Sequence, residues 1–189
     1  MTMKRWLSIA GNIDTVSRAT SIIAKSAVIL MLSIGVWNVI GRYVGVAIGY
    51  NLSSNRLIEA QWYLFDCIFL LGLGWTLQKN NHVRVDVLEG FWGKRTKIKI
   101  ELFGTLLLLL PFAIGILLLS ISPTLESWRI NELSPDPNGL PRYLIKTLIP
   151  IGFLLLVLQG FSKAIKEFSN LKKIRKLESK KHKEENKRA

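Results

Sequence analysis

Residues 102–125 contain no charged side chain. A helix of that length, apolar on every face, has no place on the surface of a soluble domain. It matches the roughly 20 residues that cross a hydrocarbon core about 30 Å thick. Three more apolar runs accompany it, at about 22–40, 60–77 and 143–161. The expected fold class is all-α: an integral membrane domain over residues 21–165, with four transmembrane helices at about 22–42, 58–78, 101–122 and 143–163. In the fourth, Lys146 and Pro150 fall near the start, where a lysine reaches the interface and a proline is tolerated.

Residues 1–20 read differently. Trp6, Ile9, Ile13 and Val16 recur at helical spacing, and Lys4, Arg5, Asp14 and Arg18 occupy other positions. This is the pattern of an amphipathic helix at a membrane surface. It is not a secretory signal, because no continuous apolar run follows the basic start before Ile22. Residues 166–189 form a basic cytoplasmic tail, with Leu171, Ile174 and Leu177 at spacing three. It is expected to continue as a helix beyond the membrane, attracted to anionic lipid.

A formal net charge of +13 would suggest nucleic acid as the partner of a soluble chain. Here the cations lie in short segments beside the apolar runs, so no nucleic-acid partner is expected and the surroundings are the lipid bilayer. Of the 26 Lys and Arg residues, only Arg42, Arg56, Arg129, Arg142 and Lys146 fall in the first and third connections. The rest gather at the N-terminus, in the middle connection and in the tail. The richer side is cytoplasmic by the positive-inside rule, and four spans return both termini to that side. The expected location is the bacterial inner membrane, multi-pass, with both termini cytoplasmic. The loop carrying Pro135, Pro137 and Pro141 then faces outward, held extended or turned by its prolines.

Cys67 is the single cysteine, which excludes a disulfide within the chain and a zinc site built from cysteines. There is no His-Glu-x-x-His, no glycine-rich phosphate loop and no Gly-x-Ser-x-Gly. No catalytic, cofactor-binding or metal-binding residue is assigned, no cofactor is expected, and the chain is not read as an enzyme.

The polar and aromatic residues near the membrane are the candidates for interface or structural roles. Asp66 lies inside the second run, and a carboxyl group there faces protein or water rather than lipid. With no second membrane carboxylate to form a relay, pairing across a helix interface is preferred over a proton or ion site. Arg42 and Glu59 sit at the outward ends of the first two helices, where they can face each other or a partner chain. Trp37 and Trp62 suit either an interfacial belt or a protein contact. His82, Arg84 and Asp86 follow the second helix. Their alternation suggests a strand, but a lone strand has nothing to pair with, so a structured turn leading into a surface helix is expected.

Together these residues resemble a family. Asn38-Val39-Ile40-Gly41-Arg42-Tyr43, then Glu59, Tyr63-Leu64-Phe65, Phe69-Leu70-Leu71-Gly72 and His82-Val83-Arg84-Val85-Asp86 are similar to the small membrane subunit of tripartite ATP-independent periplasmic (TRAP) transporters. The resemblance covers roughly residues 20–165. It implies a small permease subunit that scaffolds a large membrane subunit for ion-coupled uptake of an organic acid, which a periplasmic binding protein delivers. Sodium coupling and the substrate site would then belong to the large subunit. Arg42, Glu59, His82, Arg84 and Asp86 would be structural or partner-interface residues. Asp66 and the long Pro-rich loop depart from the family pattern. The alternative is a self-sufficient homo-oligomeric transporter or channel with Asp66 lining a shared pore.

Overall fold

A computed structural model describes residues 3–50, 52–80 and 92–185. The chain is helical almost throughout. Helix α1 spans Met3–Ile48 and α2 spans Asn55–Gln78. Helix α3 covers Lys94–Gly104, a π-helical turn covers Thr105–Leu109, and α4 covers Leu110–Arg129. Helix α5 runs over Arg142–Glu185. Among the described residues four stretches are long and apolar enough to cross a membrane: α1, α2, the joined α3–α4 rod, and most of α5. Among the described residues the only strand-like pairing is an isolated bridge between Leu133 and Pro141.

The amphipathic segment and the first span form one helix. Residues 17–21 read Ser-Arg-Ala-Thr-Ser and hold no proline or glycine to break it. At about 1.5 Å per residue, the 46 residues of α1 extend about 69 Å, more than twice a hydrocarbon core. The helix stops at Gly49, which adopts φ +74°, a conformation that side chains with a Cβ rarely take. The Tyr50 N–H closes the turn on the Gly45 carbonyl at 3.0 Å.

The third span is longer than its apolar run. It begins at Lys94 and passes through Pro123 to Arg129 rather than ending at Ser122-Pro123. A proline inside a helix cannot donate to residue i−4 and crowds that carbonyl. Around Pro123, the Ser120 hydroxyl bonds the Leu117 carbonyl at 2.8 Å and the Thr124 hydroxyl bonds the Ser120 carbonyl at 2.7 Å. Neither is the Leu119 carbonyl that the proline leaves without its N–H, and membrane helices tolerate such an interruption. The π turn sits immediately before Pro111, where the ring would otherwise press on the Leu107 carbonyl; a wider turn relieves that contact.

Helix α5 is the hub and packs against every other helix. One small core joins Leu77, Leu110, Ala113, Leu156 and Val157; a second joins Ala24, Leu71 and Leu155. At Gly152 the backbone of α5 comes close against α2. A Cβ there would lie 2.7 Å from Leu70 Cβ and 2.9 Å from the Leu70 carbonyl oxygen. Small residues at such crossings let membrane helices gain packing contact where lipid offers no hydrophobic drive. Outside this slender core, large apolar side chains point outward, among them Ile29, Leu108 and Leu119, each 70% exposed or more. In water such faces would aggregate; in a bilayer they meet lipid or another membrane helix.

The start of α1 and the C-terminal half of α5 lie at the same end of the bundle, since Ser162 and Lys166 of α5 bond to Ala10 and Asp14 of α1. The loop between α4 and α5 closes the opposite end.

Candidate functional site

At the loop end, α2 presents Arg56, Glu59 and Tyr63 at spacings of three and four, one helical stripe. All three bind the Pro-rich loop. The Glu59 carboxylate is buried and accepts from the Ser134 hydroxyl and from the Leu140 N–H. Arg56 Nε donates to the Asn138 carbonyl at 2.7 Å, and the Tyr63 hydroxyl donates to the Leu140 carbonyl at 3.3 Å. Asn131 and Asn138 take φ values of 48° and 59°, the left-handed region that asparagine tolerates better than most residues. Gly139 is required by space: a Cβ would strike Ser134 and lie 2.8 Å from Glu59 Oε2.

The start of α5 is tied to the same loop. The Lys146 ammonium pairs with Glu132, and the Arg142 N–H donates to the Glu132 carbonyl at 2.9 Å. The bonded ammonium holds the Glu132 carboxyl below its ordinary range. Trp128 Nε1 donates to Thr147 Oγ1 at 2.8 Å, and the Trp128 ring packs on Tyr143 with centroids 4.6 Å apart.

A second polar clasp joins α1 to α5 at the end bearing the termini. Ser17 Oγ donates to Gln159 Oε1 at 2.7 Å, and Gln159 Nε2 donates to Asp14 Oδ1 at 2.9 Å. Ser162 Oγ donates to the same Asp14 oxygen at 2.9 Å, and Lys166 pairs with the other. Gln159, Ser162 and Ser17 are almost wholly buried. Hydrogen bonds between membrane helices contribute about 0.6 to 2 kcal/mol each, so the network fixes the long arm of α1 on α5. Nearby, Lys25 Nζ lies 4.6 Å from the centre of the Trp75 ring, a cation–π contact suited to the membrane–water boundary.

The sequence candidates are not gathered into one pocket. Glu59 turns to the loop, while Arg42 is exposed beside Gly45, Val46, Gly49 and Tyr50; the two form no ion pair. Trp37 and Trp62 both face outward. Trp62 lines an apolar groove of about 630 Å³ between α1 and α2 with Met31, Gly35, Val36, Val39 and Phe65. Trp37, about 100° further round α1 than Val36, lies outside that lining. Asp66 lines a cleft of about 380 Å³ between α2 and α5, with Phe69, Leu70, Lys146, Ile149 and Phe153. No side chain among the described residues bonds to it. His82, Arg84 and Asp86 lie outside the described residues. Among the described residues no group of three or more His, Cys, Asp or Glu side chains is placed to hold a metal ion.

No role in tying the helices together was read from sequence for Arg56, Tyr63 and Ser134 of the loop clasp, nor for Asp14, Gln159 and Ser162 of the other. The signal present was their helical spacing: 56, 59 and 63 on α2; 159, 162 and 166 on α5. Each set marks a stripe, but not what it meets.

Two comparisons with known proteins bear on this arrangement. Residues 31–170 match the family model described as tripartite ATP-independent periplasmic transporters, DctQ component. The chain is also 28% identical over 168 residues to the ectoine TRAP transporter small permease protein TeaB of Halomonas elongata, a match covering 86% of this chain and 81% of the relative.

Proposed function

The chain belongs to the DctQ component family of tripartite ATP-independent periplasmic transporters, and from that premise we propose that it braces a large membrane subunit for ion-coupled uptake of an organic acid delivered by a periplasmic binding protein. As the small permease component of such a transporter, it is a multi-pass inner-membrane protein and not an enzyme. On this reading the large subunit carries the substrate and the coupling ion, sodium. The small subunit supplies a rigid membrane surface. The relative's ectoine is not carried over, because substrate choice would rest with the other two components.

The observation that carries the reading is where polar groups sit. In both clasps, the carboxylates, hydroxyls and amides engage one another to tie the helices together. Long apolar faces are left open around a thin core. That is the build of a brace: rigid within, adhesive at its sides. We further assign the end bearing α3, the basic tail and both termini to the cytoplasm by the excess of Lys and Arg there. The clasped Pro-rich loop is then periplasmic, within reach of the binding protein.

The test is purification of the tagged chain from its native host in mild detergent, with bound proteins identified by mass spectrometry. Recovery of a large permease subunit of the same transporter class in fixed ratio is the expected result. Recovery of this chain alone, as a homo-oligomer, overturns the reading.

A further inference from the structure

We infer that the α2–α5 cleft around Asp66 is the surface that receives a membrane helix of the large subunit, and that this helix brings a hydrogen-bond-donating side chain to the depth of Asp66. The inference rests on the reading of the chain as a brace and adds to it which face is used and by what chemistry.

Asp66 lies seven residues beyond Glu59 on α2, about 10 Å further along the helix at 1.5 Å per residue, on the membrane side of the loop clasp. Asp66 lines the cleft, yet no described side chain bonds to its carboxyl group. The cleft has one cation, Lys146, and that ammonium is already paired with Glu132 of the loop. The rest of the lining named above is apolar. Tyr63, one turn earlier, donates its hydroxyl to the Leu140 carbonyl.

A polar group that the described residues leave unsatisfied at membrane depth is costly against lipid tails. A donor from a neighbouring helix removes that cost, and the apolar rim around it, including the exposed Phe69 and Ile149, gives the packing surface that membrane helices use. The larger α1–α2 groove makes no such demand. Its amide, Gln61, lies against Gly35, and no charged side chain lines it, so acyl chains can fill it.

The experiment places a photo-crosslinking phenylalanine analogue at Phe69 or Ile149, and for comparison at Val36 or Trp62, in the full transporter expressed in its host. The expected result is crosslinking from Phe69 and Ile149 to the large subunit, with far lower yield from Val36 and Trp62. Asp66→Leu should lower the large subunit recovered with the chain by about tenfold, the scale of one lost interhelical hydrogen bond. Asp66→Asn, which still accepts a hydrogen bond, should retain most of it. Crosslinks from Phe69 and Ile149 only to lipid, or only to a second copy of this chain, overturn the inference while co-purification of the large subunit keeps the bracing role. Unchanged recovery with Asp66→Leu also overturns it. If the unsubstituted chain brings down no large subunit, both fall.

Discussion

The Leu140 N–H donates to the Glu59 carboxylate across 81 residues of sequence, so the Pro-rich loop is pinned to the second turn of α2. The same carboxylate holds the Ser134 hydroxyl, 75 residues away. Two bonds from opposite ends of the loop converge on one buried side chain. The loop is therefore a structured cap whose shape is set by α2.

Removing that side chain should free the loop without unfolding the bundle. Glu59→Ala should raise hydrogen exchange of backbone amides in residues 134–141 by about tenfold or more, while the membrane helices keep their protection. Glu59→Gln should fall between, since an amide still accepts but bonds less strongly than a carboxylate. Exchange measured by mass spectrometry in detergent reads this directly. Equal protection in all three proteins would mean that Arg56, Tyr63 and the prolines suffice.

Gly152 and Gly115 make a matched pair. A Cβ at Gly152 meets Leu70 backbone and side chain at 2.7–3.1 Å, while one at Gly115 meets nothing within 4 Å. Gly152→Ala should destabilise the bundle by about 1–3 kcal/mol, the usual cost of overpacking. Gly115→Ala should be neutral or stabilising by up to about 1 kcal/mol, because alanine restricts the unfolded chain. Thermal unfolding in one detergent compares them. A lower melting temperature for Gly115→Ala than for Gly152→Ala would contradict the helix crossing described.

The Glu132–Lys146 pair gives a pH dependence of known sign. Lys146 holds the Glu132 carboxyl below the ordinary glutamate value of 4.5. A group whose folded value is depressed contributes stability above its unfolded value, and loses it as pH falls toward the folded value. The anchor between loop and α5 should thus be intact at neutral pH and weaken below about pH 4.5. Glu132→Gln should lower the melting temperature at pH 7 and remove this part of the acid sensitivity. Equal slopes of melting temperature against pH between 3 and 5 in both proteins would rule the pair out as the cause.

Orientation is tested at the loop. Asp136 is exposed and lies outside the left-handed positions, unlike Asn138 with its φ of 59°. With Cys67→Ser as background, Asp136→Cys should react with a membrane-impermeant maleimide in intact spheroplasts. Labelling seen only after lysis would place the loop in the cytoplasm.

The membrane character was legible because it is compositional. The uncharged run at 102–125 announces a span whatever its neighbours do. The limits of the helices were less so. Pro123 looks like a terminator, but the helix runs through it to Arg129, since a membrane helix tolerates an internal proline. The change in composition near Thr20 does not interrupt the helix, which runs unbroken from Met3 to Ile48, since no proline or glycine stands there. Glu59 was legible as important but not in its partners. Arg42 is the obvious cation at the same end, whereas the groups that Glu59 binds are a hydroxyl and a backbone N–H far along the chain. Asp14 and Gln159, 145 residues apart, form a clasp that only the folded bundle brings together. Asp66 stood out from sequence because a carboxyl group in an apolar run faces protein or water rather than lipid, and among the described residues no side chain bonds to it.

The most direct measurement is uptake into proteoliposomes assembled from purified components, once the binding protein's ligand has been identified. Under an imposed sodium gradient, ligand should accumulate only when this chain, the large subunit and the ligand-loaded binding protein are all present. Uptake or ion conduction by this chain alone, abolished by Asp66→Asn, would show instead that the chain is itself a pore.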